Sequence, residues 1–337
     1  MLPKILTRIT RWGSLYFWRR LRRLVVGGLV LLLLVSCFGM SDFKAHKAFI
    51  ADEVVGNAQI KYSYFDAKSA EAIFYAHTPN LRESASDSIV FWIHGTPGAW
   101  TELGRILIEP QSMAWLSVDR PGWGKSRKTL EVDQRAWQQH REIYADFDQQ
   151  LALLKPMLSA LAKEYPSKKI IIGGHSLGAS IGLALSAELL QEGVDIDGLV
   201  LFAGGYSPKL MQARWYHKLA KTRLGKWFTG EELTRANEEM LVLSQGLEKT
   251  IKVWQGLDSQ IPIYVIQGGK DFLVPRANAL WLQESLPGKN VQVFVDEDYG
   301  HLWHIQRPEV IADCAQALAA DKPANCRAAV FEEHKSG

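Results

Sequence analysis

The chain has 337 residues, 47% hydrophobic and 22% charged, a balance near the globular average that excludes disorder and fibrous repeats and leaves room for one large domain or two ordinary ones. Its net charge of +3 does not describe the body, because Lys4, Arg8, Arg11, Arg19, Arg20, Arg22 and Arg23 lie in the first 23 residues with no acid among them. Beyond them 32 basic residues face 36 acidic ones, and a body of net charge −4 lacks the basic surface that phosphate neutralisation demands, which argues against a nucleic-acid partner.

Directly after the arginines, Leu24 to Met40 is an uncharged, mostly apolar run of 17 residues, at the short end of what crosses a bilayer. A basic flank before a short apolar core is the pattern of a secretory signal or an uncleaved anchor. The charge bias keeps the N-terminus cytoplasmic and sends the rest outward. Leu34-Val35-Ser36-Cys37 is also similar to the bacterial lipoprotein box, in which the chain is cut before the cysteine and that sulfur is lipidated. Both readings predict a domain tethered to a membrane of the bacterial cell envelope through its N-terminal segment; a buried soluble helix is the remaining alternative. With Cys37 lipidated, Cys314 and Cys326 are left, 12 residues apart around Asp321-Lys322-Pro323-Ala324. A disulfide and two unpaired thiols fit that spacing equally well. None of the three cysteines has the spacing of a zinc site, so no metal is indicated.

Past Met40, short apolar runs alternate with stretches of helical period, the rhythm of a mostly parallel α/β sheet. Strands are expected at 59–64, 72–77, 88–93, 114–118, 169–172, 198–202, 263–267 and 291–295. The later ones are continuous apolar runs, as strands covered on both faces are. Helices are expected over 133–164, 177–191 and 306–320. Residues 206–256 break the rhythm: they have no strand pattern, and Lys209, Arg214, Lys218, Lys221, Arg223 and Lys226 run without an acid among Trp215, Trp227 and Phe228. This segment reads as a helical lid inserted between core segments 41–205 and 257–320, ordinary surface helices being the alternative. Residues 1–40 form the leader and 321–337 a C-terminal tail.

The chemistry centres on Gly174-His175-Ser176-Leu177-Gly178, which closes one strand and opens a small-residue helix. A serine on so sharp a turn sits in a strained conformation, and side chains two residues either side would collide, so glycines are needed at both places. The helix behind it aims its first N–H groups at charge developing near the hydroxyl.

Here the sequence resembles the α/β-hydrolase family, over roughly residues 59–319. The resemblance implies a mostly parallel central sheet with helices on both faces and a helical lid. His94-Gly95-Thr96-Pro97-Gly98 is similar to the family's oxyanion-hole loop, which implies the backbone N–H groups of Thr96 and Leu177 as oxyanion donors. Asp119-Arg120-Pro121-Gly122-Trp123-Gly124-Lys125-Ser126 is similar to its tight structural turn and takes no catalytic role. In the family's order of serine, acid and histidine, Gly268-Gly269-Lys270-Asp271 supplies Asp271 as the acid and Gly300-His301 supplies His301 as the base. His304, Asp296, Glu297 and Asp298 are the rivals, and His94 and His175 are read as packing residues of their turns.

A serine hydroxyl is a poor nucleophile until an imidazole takes its proton, and the imidazole needs a carboxylate to fix its tautomer. The expected protein is therefore a serine hydrolase of carboxylic esters, without cofactor, acting on a small-molecule or lipid-like substrate under the lid. The lid aromatics suit acyl chains, and its basic residues suit an anionic membrane surface or substrate. Prolyl aminopeptidases share the triad and a similar loop, with glycine where Thr96 stands. A tethered scaffold that keeps the fold without turnover is the reading from a different class.

Overall fold

The computed structural model describes residues 48–66, 72–83, 86–109, 111–128 and 144–331. The apolar run 24–40, Cys37 and the expected helical residues 133–143 lie outside them. Among the described residues no helix is long and apolar enough to cross a membrane. The chain divides into two units at Glu53/Val54. Of the first, residues 48–53 are described and are helical; the second, from Val54 on, carries the whole sheet and its core.

Eight strands form one sheet: β1 (Lys61–Asp66), β2 (Ala72–His77), β3 (Ser88–Ile93), β4 (Ala114–Val118), β5 (Lys169–His175), β6 (Gly198–Phe202), β7 (Ile263–Gly268) and β8 (Val291–Asp296). Their spatial order is β1-β2-β4-β3-β5-β6-β7-β8, with β1–β2 and β2–β4 antiparallel and every other pair parallel. Every residue of β3, β4, β6 and β7 is buried, which is why these strands read as unbroken apolar runs instead of alternating ones. After β3 the chain steps outward to β4 and then returns across β3 to β5. The loops leaving β3 and β5 therefore diverge and open a crevice at the strands' carboxyl ends.

The helices are α1 (Gly104–Ile108), α2 (Gly124–Lys128), α3 (Phe147–Glu164), α4 (Leu177–Gln191), α5 (Trp215–Ala220), α6 (Arg223–Gly256), α7 (Ala277–Ser285), α8 (Trp303–Gln306), α9 (Pro308–Ala319) and α10 (Pro323–Phe331). Helix α3 starts where the Asp146 side chain accepts the Gln149 N–H at 3.0 Å, an ordinary N-cap. Helix α4 is buried on nearly all sides, so its small residues let it lie close against the sheet.

Two segments differ from their sequence reading. Within residues 206–256 the helical stretches are α5 and α6, preceded by turns and irregular backbone over 206–214, and α6 has two parts. Its first half carries Leu233, Ala236 and Met240 to a cavity, whereas Leu247, Ile251 and Trp254 lie in the main core. Their spacing of four and three residues makes a stripe, and Trp254 Nε1 donates to the carbonyl of Leu183 at 2.8 Å. Only the first half is placed as a lid would be. The C-terminal tail contains α10, joined to α9 by the Cys314–Cys326 disulfide. Cys326 and Val330 on its inner face are fully buried, which gives this segment a reason to be ordered.

Candidate active site

Ser176 stands between β5 and α4 with φ 53° and ψ −121°, a left-handed conformation that costs a non-glycine residue about 1–3 kcal/mol. Close packing imposes it. A Cβ on Gly178 would sit 2.0 Å from the carbonyl oxygen of Ile93, and one on Gly174 would sit 2.6 Å from the backbone of Gly178. The glycines let the turn lie against β3, and the Ser176 N–H is tied to the Phe202 carbonyl at 2.8 Å. Residue 176 thus projects from the sheet edge while its own backbone is held on both sides.

The loops after β7 and β8 bring two more groups to it. His301 Nε2 lies 3.0 Å from Ser176 Oγ, and His301 Nδ1 lies 2.7 Å from Asp271 Oδ2. Asp271 is buried. Its Oδ1 accepts the N–H groups of Leu273 and Val274 at 3.0 and 2.8 Å, and its Oδ2 also accepts from Gln267 Nε2 at 2.9 Å. Each carboxylate oxygen is thereby aimed, and the imidazole that meets it is set as the Nδ1–H tautomer, with Nε2 left to accept from the serine. Burial pulls the His301 pKa below its ordinary 6.5, partly offset by the Asp271 carboxylate, so the ring is held neutral. Thr96 and Leu177 line the same cavity as Ser176 and His301. The Leu177 N–H opens α4 and has no partner within the helix.

Of the rivals, Asp298 pairs with Lys270 and Glu297 with Arg276 on the surface, and His304 is buried against His175, the ring centroids 3.8 Å apart. None of these three meets Ser176. Asp296 Oδ1 accepts the Asp298 N–H at 2.9 Å and caps its own turn.

Two buried networks behind these residues were not legible in the sequence. In the first, fully buried Arg120 donates to the carbonyls of His94 and Gly95 at 3.0 and 2.9 Å, to Gln150 Oε1 at 2.6 Å and to Glu239 Oε1 at 2.7 Å. Glu239 comes from α6 and also accepts from Trp123 Nε1 and Gln150 Nε2, both at 2.9 Å, and from the Thr96 hydroxyl. One carboxylate thus ties the covering helix to the turn after β4 and to the loop that holds Thr96. His94 belongs to this network: its Nε2 accepts the Arg120 N–H at 3.0 Å and its Nδ1 donates to the Gly95 carbonyl at 2.7 Å. Burial, aided by the Arg120 charge, lowers its pKa to about 3.

In the second network Glu102 accepts from Trp92 Nε1 at 3.0 Å and from the Gly95 N–H at 3.1 Å. His175 sits between Glu102 Oε2, at 3.3 Å from Nδ1, and the backbone carbonyl of His301, at 3.1 Å from Nε2. The ring thereby bridges the Glu102 carboxylate and the loop that carries His301. Desolvation would raise the Glu102 carboxyl, yet the neighbouring His175 holds it well below the usual carboxylate range. Glu102, His175 and His304 place three ligand-type atoms within 4.8 Å of one another, the donor types of a zinc site. They do not fit an ion well: Glu102 Oε2 and both His175 nitrogens are already committed to hydrogen bonds that position the loops around Ser176.

The cavity over Ser176 has a volume of about 320 Å³, within the range of small-molecule sites. Leu210, Met211, Met240, Leu243 and Val274 give it an apolar wall, and Arg214, His217 and Asn237 add polar groups from the covering segment.

Residues 89–314 match the family model described as the alpha/beta hydrolase family. No curated protein matches the chain in sequence. Among solved structures, a soluble variant of monoglyceride lipase from Saccharomyces cerevisiae is similar at a TM-score of 0.55 and 16% identity, over 77% of this chain and 94% of that one. An esterase from Pyrococcus furiosus gives 0.52 and 20%, over 78% and 91%. A bacterial membrane phospholipase A, described as a virulence factor, gives 0.51 and 16%, over 89% and 99%. At such identities these likenesses speak to the fold, whereas the family model spans about two thirds of the residues, and by that match this chain belongs to the alpha/beta hydrolase family.

Proposed function

We propose that this protein is a serine hydrolase that cleaves carboxylic esters through an acyl-serine intermediate. The observation that carries the reading is the run of contacts from Asp271 through His301 to Ser176, at 2.7 and 3.0 Å, on the floor of an apolar cavity. His301 Nε2 takes the hydroxyl proton as Ser176 Oγ attacks the ester carbonyl, and Asp271 stabilises the imidazolium that forms. The negative charge moves to the carbonyl oxygen, where the N–H groups of Thr96 and Leu177 receive it. His301 then protonates the departing alcohol, leaving the acyl group on Ser176. Water, deprotonated by the same imidazole, attacks the acyl-enzyme; the acid leaves and the serine recovers its proton.

The apolar wall suits an acyl chain. An aminopeptidase would need an anionic group for the substrate's ammonium, and no carboxylate lines the cavity among the described residues. In this reading the leader tethers the domain to a membrane of the bacterial envelope, facing outside the cytoplasm. A fluorophosphonate probe is expected to label Ser176. Ser176→Ala should lose both labelling and about three or more orders of magnitude in ester turnover without losing its fold. Because the base must be neutral, log kcat/KM should fall on the acid side with a midpoint below 6.5. A folded but unlabelled protein would instead favour a scaffold, and turnover of amino-acid anilides in preference to esters would favour the peptidase.

A further inference from the structure

Large apolar side chains stand exposed on the segments that build this cavity. Trp215 is 75% and Phe272 71% exposed, and Leu219, Leu233, Leu273 and Leu302 are each about half exposed. All six belong to segments that build the site. Leu233 and Leu273 line the cavity, Phe272 follows Asp271, and Leu302 follows His301. Trp215 and Leu219 share one face of α5, at i and i+4, next to Tyr216, which also lines the cavity. A soluble surface seldom gathers this much apolar area in one place unless something covers it.

Charge says what does. Lys209, Arg214, Lys218 and Lys221 are all exposed, and none of them forms an ion pair among the described residues. From Lys209 to Lys226 there is no acid. On the other rim, Glu297 and Asp298 are neutralised by Arg276 and Lys270. A second copy of the chain docked face to face would set cations against cations. A sheet of anionic lipid headgroups over hydrocarbon complements both features at once.

We propose that this rim docks on an anionic lipid bilayer. Trp215, Leu219 and Phe272 enter the boundary between headgroups and acyl chains, while Lys209, Arg214, Lys218 and Lys221 meet the lipid phosphates. The cavity mouth then opens onto the bilayer, and a lipid ester reaches Ser176 without crossing water. The inference rests on the ester-hydrolase reading for its substrate, but not for the docking itself.

Flotation with vesicles tests it. The protein is the unit from Val54 on, whose sheet and core are complete, so that the leader contributes no affinity. It carries Ser176→Ala so that lipid is not consumed. Binding is expected to vesicles of phosphatidylglycerol with phosphatidylcholine, and to weaken with salt and on pure phosphatidylcholine. Trp215→Ser with Leu219→Ser should lower partition at least about tenfold on both vesicle types. Lys218→Gln with Lys221→Gln should lower it about tenfold on the anionic vesicles alone. Thermal melts identify any variant that has lost its fold. Absence of binding, or equal binding by parent and both double variants, overturns the proposal, as does a dimer that Trp215→Ser with Leu219→Ser converts to monomer while no vesicle is bound. Fluorophosphonate labelling of the protein with Ser176 intact separates the two readings: labelled protein that ignores vesicles sinks the docking alone, and unlabelled protein that binds them sinks the hydrolase reading alone.

Discussion

Ser176 and His301 meet because neither is free to choose its position. The serine is held by the tight turn between β5 and α4, and the histidine is held twice, by Asp271 through its ring and by His175 through its backbone carbonyl. Glu102 stands behind His175 and also grips the Gly95 N–H, so one carboxylate orients the turn of Ser176, the loop of His301 and the loop of Thr96. Displacing reacting groups by as little as about 1 Å can cost a hundredfold in rate. Glu102→Gln is therefore expected to lower kcat between about tenfold and a hundredfold while KM stays within about twofold. A steady-state comparison on a soluble ester checks this, with a thermal melt beside it. A variant that melts early but turns over at the parent's kcat would reduce Glu102 to a packing residue. His175 looks like a packing residue in the sequence because the groups it serves, Glu102 and His301, lie 73 and 126 residues away.

At the scale of elements, α6 is fastened by charge near its middle and by apolar burial in its C-terminal half. The Arg120–Glu239 pair has almost no solvent contact on either side chain. Removing one partner of such a pair commonly costs about 3–5 kcal/mol, because the other is left charged and buried. Glu239→Leu should accordingly lower the stability by an amount in that range, read as a fall in the urea midpoint. Adding Arg120→Met should recover part of it. If the single variant unfolds at the parent's midpoint, the network does not hold α6 in place. A glutamate inside a 34-residue helix reads as part of a solvated face, and nothing local marks Glu239 as the one that turns inward. The strands were far more legible: β2, β3, β4 and β6 fall where their apolar runs predict, and in β3, β4 and β6 full burial on both faces leaves a pattern independent of distant partners. Helix α4 was equally plain, bounded by the glycine turn at one end and Gly193 at the other.

Across the whole molecule, buried titratable groups set how the fold meets acid. Burial holds His94, His301 and His77 below the ordinary 6.5 of a free imidazole. As pH falls through 6.5 the unfolded chain binds these protons and the folded one does not, so stability is lost over that window and below it, toward about pH 3 for His94. Asp119 works the other way. Burial raises its carboxyl to about 6, so protonation below that pH favours the folded state. Burial lowers His217 as well, so four histidines outweigh one carboxyl, and Tm is expected to fall between pH 7 and pH 5, before ordinary carboxylates titrate. A Tm that holds level or rises over this interval would mean that the histidines take up protons within the fold.

The sequence by itself determined the class of fold, through apolar runs that only a doubly covered sheet can bury, and the glycine-framed turn that Ser176 occupies, because sterics at such a turn act over five residues. It also singled out Asp271 and His301, since each follows a strand that must end at the same edge as β5. Tertiary structure alone decided that Glu239, Arg120, Glu102 and His175 would be the groups behind them, that half of α6 would join the core, and that Trp215, Phe272 and Leu302 would stand exposed next to residues that line the cavity or build its floor. Those outcomes depend on which buried charge finds its counter-charge and which apolar side chain finds no cover. Both are properties of residues brought together from across the chain, and no local pattern encodes them.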